Sequence, residues 1–218
     1  MSLPLQLSGV SKTFGRQGLE PFTLSLPPGI CTALMGANGS GKTTLLRLAC
    51  GLVSPDGGTV RVLGRDPIGD GAVRAQVAAV FDGARALHGR LSPAENAVYF
   101  ARVKGCDGAW ALQRSGALAR RFQVEQYLDL PVRTLSRGTQ QKFALIAALS
   151  TGAQLWLFDE PTLGMDAAGL DILADIVRAH LAADGAVLLT THDERFARRL
   201  GGIVRLPGAA AAPLRLQL

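Results

Sequence analysis

Cysteine is scarce in this chain: Cys31, Cys50 and Cys106 are the only three in 218 residues, odd in number and far apart. That excludes a disulfide framework and a cysteine metal knuckle, and predicts small buried hydrophobes at all three positions. Long apolar runs are missing as well. No stretch approaches the ~18 uninterrupted apolar residues of a membrane span. Charged residues amount to 18% against 48% hydrophobic ones, a balance that excludes a disordered chain. The opening MSLPLQLSGV has neither a basic n-region nor a long apolar segment, so no secretory signal is read and the cytoplasm is the expected compartment. The aromatic share is only 6%, and no aromatics interleave the arginines as a nucleic-acid stacking platform would require. What remains is a soluble globular chain, long enough for one domain with a subdomain.

The net charge is +6, and its position says more than its size. Residues 84–142 hold ten Lys/Arg against Glu95, Asp107, Glu125 and Asp129, while the rest of the chain carries thirteen charges of each sign. A basic segment of this kind can face nucleotide phosphates, anionic lipid or nucleic acid, or be a solvated face.

Short apolar runs alternate with helical patterns, which predicts an α/β protein with a largely parallel sheet. ICTALMG (30–36) reads as a strand ending in glycine, and TTLLRLACGL (43–52) as the helix after it. Further strands are expected at TVRVLG (59–64), VAAVF (77–81), AQLWLFD (153–159), GAVLLTT (185–191) and GGIVRL (201–206). Ser92-Pro93-Ala94-Glu95 predicts a capped helix start with proline at the first helical position, and 92–122 reads as helical with a break near Gly105 to Gly108. One helix is expected after Ser136 and another after Asp166, with Asp193 capping a short one.

The loop between the first of these strands and its helix fits G-x-x-x-x-G-K-[ST]: Gly36, Ala37, Asn38, Gly39, Ser40, Gly41, Lys42 and Thr43. Glycines permit the tight turn that brings backbone N–H groups to a polyphosphate, and the helix start adds its positive end. Lys42 supplies an ammonium to the β- and γ-phosphates, and Thr43 a hydroxyl for Mg²⁺. LWLFDEPT (155–162) sets two carboxylates at a strand end, with Asp159 suited to the Mg²⁺ shell and Glu160 to polarising water. Neighbouring strand residues face opposite ways, so a bend is required there, and Pro161 is the expected cause. His192 follows another strand end. Ser136 and Gly138 in LSRGTQQK (135–142) open a helix able to hold phosphate.

These elements in this order resemble the ATP-binding cassette of ABC transporters over residues 3 to 206. GANGSGKT resembles Walker A, LSRGTQQ the signature motif, LWLFDEPT Walker B with its catalytic Glu, TTHD the switch histidine, and LGMD (163–166) the D-loop. Phe14 in SKTFG stands at the position of the aromatic that stacks on adenine. The resemblance implies a P-loop NTPase fold: a mostly parallel sheet core, an antiparallel β edge and an α-helical signature subdomain. It implies one nucleotide-binding domain over 1–206, with the helical subdomain at about 84–150, and a short low-complexity tail at 207–218. ATP and Mg²⁺ are the implied cofactors. Nucleotide contacts are implied for Phe14, for the loop from Gly36 to Thr43, for Thr44, and for Ser136, Gly138 and Asp166. Thr43 and Asp159 are implied for the metal, and Glu160 and His192 for catalysis.

Two departures stand out. Asp82 occupies the place where the family has the Q-loop Gln, and a shorter, anionic side chain leaves two roles open: a Mg²⁺-shell residue, or a link between the ATP site and the membrane partner. The signature carries Arg137 and Thr139 where other residues are commoner. Both this spelling and DGARALHGRLSPAEN (82–96) resemble cassettes of drug- and polysaccharide-type exporters. The resemblance thus implies a separate transmembrane permease, met near Asp82 and the 83–104 segment, and head-to-tail pairing with a second copy or a related cassette. The cassette would be peripheral on the inner face of the cell membrane, and no nucleic-acid partner is expected. The alternative, a soluble cassette ATPase acting on ribosomes or DNA, typically has two cassettes or a long coiled coil between Walker A and signature. Only 93 positions separate Lys42 from Leu135.

Overall fold

The computed structural model describes residues 2–15, 17–81 and 85–206. In chain order it contains β1 (Leu5–Phe14), β2 (Gln17–Leu26), β3 (Cys31–Met35), α1 (Lys42–Ala49), β4 (Gly57–Val62), α2 (Gly71–Ala75), β5 (Val77–Val80), α3 (Pro93–Val103) and α4 (Gly108–Arg121). After two short 3₁₀ turns follow α5 (Arg137–Leu149), β6 (Leu155–Phe158), α6 (Ala167–Ala182), β7 (Ala186–Thr190), α7 (Glu194–Leu200) and β8 (Gly202–Arg205). Five strands make a parallel sheet in the order β5-β6-β7-β3-β8, and three make a separate antiparallel sheet, β2-β1-β4.

The central strands β3, β6 and β7 are buried along their whole length, as expected of apolar strands covered on both faces. Successive residues on them serve different cores. Ala33, Trp156, Phe158, Val187 and Leu189 pack toward α5, α6 and α7, whereas Leu34, Leu155, Leu157 and Leu188 pack toward α1 and the antiparallel sheet. Burying a Leu or Phe side chain contributes ~1.5–3 kcal/mol, so these two cores fix how the strand ends line up.

The expected strands and helices are present at the expected places. Ser92 and Glu95 close a reciprocal capping box at α3: Ser92 Oγ accepts the Glu95 N–H at 3.2 Å, and Glu95 Oε2 accepts the Ser92 N–H at 2.8 Å. Four findings differ from the sequence reading. β1, β2 and α2 carry no local pattern by which they were placed, and the antiparallel strands form a sheet of their own. The 59–64 run belongs to that sheet as β4. Cys31 and Cys50 are buried, but Cys106 is only half-buried, its Sγ 3.4 Å from the Thr151 carbonyl oxygen, because it lies in the short link between α3 and α4. The basic segment is not wholly solvated either: Lys104 turns inward from the end of α3 and donates to the carbonyls of Arg74 and Val77. Burial pushes its pKa below the usual lysine range.

Candidate active site

The glycine loop leaves β3 and turns directly into α1. Gly39 and Gly41 have φ of 80° and 94°, the left-handed region. A Cβ on Gly41 would stand 2.7 Å from Leu19 Cδ1, which would have to shift, and the left-handed backbone strains any side chain there. Gly41 caps α1 with no side-chain acceptor, leaving the first-turn N–H groups for an anion. The Lys42 ammonium donates to the carbonyls of Gly36 and Ala37 at 2.7 and 3.1 Å. Ser40 Oγ is buried without a hydrogen-bond partner among the described residues, an orphan suited to a polar ligand atom.

Three neighbouring strands deliver the rest. In the order β6-β7-β3, the Asp159–Glu160 pair, Thr190 to His192, and the glycine loop all leave the same end of the sheet, where ligands bind in such folds. Asp159 Oδ2 accepts from the Thr43 hydroxyl at 2.8 Å, and Oδ1 from the Thr190 hydroxyl at 2.6 Å. Residues 116 apart in sequence thus share a carboxylate. A cleft of about 320 Å³ is lined by Phe14, Gly18 and Leu19, by the stretch from Asn38 to Thr44, and by Asp159, Glu160 and His192.

Glu160 takes a different environment from its neighbour. The bend expected at this pair sits at Glu160, directly before Pro161, with φ of 47°. This left-handed residue turns the second carboxylate away from the strand's alternation. Its Oε1 is buried without a hydrogen bond among the described residues, with His192 Nε2 3.4 Å away. Burial raises the Glu160 carboxyl above its ordinary pKa, His192 opposes that, and Asp159 adds to it. One carboxylate thereby accepts a hydroxyl on each oxygen and the other is held with raised proton affinity, the division of labour that a cation site and a base require.

Other sequence-predicted residues lie elsewhere. Ser136 is the N-cap of α5, accepting the Thr139 N–H at 3.2 Å, and Gly138 follows in the first turn; neither lines the cleft. Asp166, expected at the nucleotide, is the N-cap of α6 and pairs with Lys142 at 3.1 Å. Asp82 lies outside the described residues. Sequence reasoning missed Thr190, Gly18, Leu19 and Lys142. Thr190 had a signal: two hydroxyls ending an otherwise apolar strand.

A strand, a glycine loop and a helix start with this lysine have one use that accounts for all their parts, and we class the chain with the P-loop nucleoside triphosphatases. The family model described as ABC transporter matches residues 19–163, more than half of the chain, and the chain belongs to that family. It is 32% identical over 200 residues to the Nod factor export ATP-binding protein I of Ralstonia nicotianae, covering 90% of this chain and 61% of that protein. With the cytochrome c biogenesis ATP-binding export protein CcmA of Aromatoleum aromaticum it shares 38% identity over 174 residues, 79% of this chain and 80% of the relative. Among solved structures, an ATP-binding subunit of an ABC transporter superposes with a TM-score of 0.87 at 28% identity, over 94% of this chain and 86% of that one. The chain spans about three fifths of the Ralstonia protein's length.

Proposed function

We propose that this chain binds ATP with Mg²⁺ and hydrolyses it, and that as the ATPase subunit of an exporter it drives a separate membrane permease. The observation that carries this reading is the convergence of Lys42, Thr43, Asp159, Glu160 and His192 on one cleft. The hydrogen-bonded oxygens of Thr43 and Asp159 fit Mg²⁺, a hard cation that takes few protein ligands and completes its shell with phosphate and water. When bound, the ion neutralises charge on the phosphates. Lys42 holds the β- and γ-phosphates, Phe14 stacks on the base, and Glu160 accepts a proton from the attacking water while His192 orients it.

Ser136 and Gly138 stand clear of their own cleft, so a second copy or a related cassette must bring them to a γ-phosphate, in a head-to-tail pair. For the permease, α3 and α4 offer an apolar groove of about 610 Å³ that includes Val98, Tyr99, Val103 and Leu112. Val103 is 68% exposed. Among the described residues no helix is long and apolar enough to cross a membrane, and peripheral attachment through the permease supplies the location. Both relatives above are named for export, which supports this direction and lends nothing to a role on ribosomes or DNA.

The test is Glu160→Gln, which should retain ATP binding and elute as a dimer with ATP but as a monomer without it. Wild-type phosphate release no faster than the protein-free rate, at every protein concentration, would refute the ATPase reading. Co-expression with the permease it serves should carry the chain into the membrane fraction, and Val103→Asp should release it.

A further inference from the structure

The Thr190 hydroxyl is fully buried and makes two hydrogen bonds of opposite sense. It donates to Asp159 Oδ1 at 2.6 Å and accepts the Glu160 N–H at 2.9 Å. We propose that Thr190 is a positioning residue: its hydroxyl fixes the turn that keeps Asp159 on Thr43 and aims Glu160 at the reacting water. The proposal rests on the ATPase reading above.

The argument begins with the backbone. A left-handed, non-glycine residue directly before a proline is unfavourable and persists only where its surroundings hold it. Glu160 is such a residue, at φ 47°. β6 and β7 pair in register as far as Phe158 and Leu189, so Asp159 and Thr190 come next, where the ladder stops. The Glu160 N–H has left the ladder, and the Thr190 side chain gives it the acceptor that the strand no longer can. Thr191 repeats the device one residue on, its Oγ1 3.2 Å from Thr162 Oγ1 and accepting the Asp193 N–H at 3.0 Å. The last residue of β7 and the threonine just after it therefore grip the turn at both ends. The first of them joins the carboxylate on the phosphate side to the backbone of the residue that faces water.

Thr190→Val keeps the shape and the strand preference but removes the hydroxyl, leaving a carboxylate oxygen and an N–H without their partner. Thr190→Ser keeps the hydroxyl and loses a methyl group. In the full chain, Val is expected to lower kcat about 10- to 100-fold with a smaller change in KM for ATP, and Ser to stay within about 3-fold of wild type. Without added nucleotide, hydrogen exchange at the Glu160 amide, read by NMR, should be slow in wild type and Ser and fast in Val. A packing role reverses the order, because Ser then leaves the cavity and Val does not, and that order would overturn the proposal. An unchanged Glu160 amide in Val overturns it too. Should Val fail to fold, Ser against Ala differs by the hydroxyl alone and gives the same comparison. If wild type hydrolyses no ATP, the ATPase reading fails, while the amide measurement still judges Thr190.

Discussion

The Lys42 ammonium lies 2.7 Å from the carbonyl oxygen of Gly36, so the lysine that ends the glycine loop is clasped by the residue that begins it. With a second bond to Ala37, the charge is held inside the loop at 8% residue exposure. An ammonium has a third donor, and a triphosphate is the stronger acceptor. Lys42→Ala should weaken MgATP binding by about 100-fold or more while leaving the melting temperature nearly unchanged. Lys42→Arg should not restore it, because a planar fork cannot serve both carbonyls and the phosphates from that position. Equal affinity of wild type and Lys42→Ala by calorimetry would remove the loop from the binding site.

In the same cleft Phe14 is half exposed, with the Lys12 ammonium 5.9 Å from its ring centroid and Lys12 itself tied to Asp56 at 2.6 Å. The Thr13 N–H also donates to Asp56, at 2.8 Å, so the strand end that presents the ring is braced. Stacking a base on an aromatic contributes ~1–3 kcal/mol. Phe14→Ala should therefore weaken ATP binding about 5- to 100-fold and leave pyrophosphate binding unaltered. A parallel loss for pyrophosphate would mean that Phe14 supports the loop rather than the base.

Glu160 makes a pH prediction with a definite sign. Burial lifts its carboxyl pKa above the ordinary 4.5, and the base must be ionised to take a proton. Hydrolysis at low ATP should fall as pH drops through that raised value, so the acid limb of kcat/KM, which reports the free enzyme, lies above 4.5. Glu160→Gln should abolish the limb and cut kcat about 10²–10⁴-fold. Stability runs the other way. A raised carboxyl pKa means that the folded state binds the proton more tightly than the unfolded chain, so ionised Glu160 costs stability at neutral pH. Glu160→Gln should melt higher than wild type at pH 7, with the gain vanishing well below pH 4.5, where Glu160 is protonated in both states.

The strand, glycine loop and helix were legible because each is written in contiguous residues, and so were the capping box at Ser92 and the apolar run into Asp159. What escaped depends on partners distant in the chain. Thr190 and Asp159 are 31 residues apart, and only the strand order makes them neighbours. β1 pairs with β2 across register shifts between Leu7 and Val10 and again before Lys12, which break the alternation that marks a strand. Lys104 reads as a surface charge until α3 is seen to end above Val77. Asp166 carried a readable cap signal, followed as it is by helical spacing. The structure shows that cap, with Asp166 accepting the Gly169 N–H at the start of α6.

Gly138 shows how a residue expected at a phosphate has a second reason to be glycine. It lies in the first turn of α5, and a Cβ there would stand 2.7 Å from the Gly164 carbonyl oxygen. Farther along the same helix, Gln141 Nε2 donates to the Pro161 carbonyl at 3.5 Å and Lys142 pairs with Asp166 at 3.1 Å. The start of α5 thus lies against the loop that begins at Glu160. Two effects oppose each other in Gly138→Ala. Alanine favours a helix over glycine by up to about 1 kcal/mol, while forcing the backbones apart costs about 1–3 kcal/mol. The steric effect is the larger, so the melting temperature should fall, by up to about 8 °C for a chain of this size. Hydrolysis should fall with it, since the displaced loop carries Glu160. Were Gly138 needed only to approach a partner's nucleotide, helix propensity alone would act on the isolated chain. The melting temperature would then rise, and the sign of that shift, measured by calorimetry without nucleotide, decides between the two.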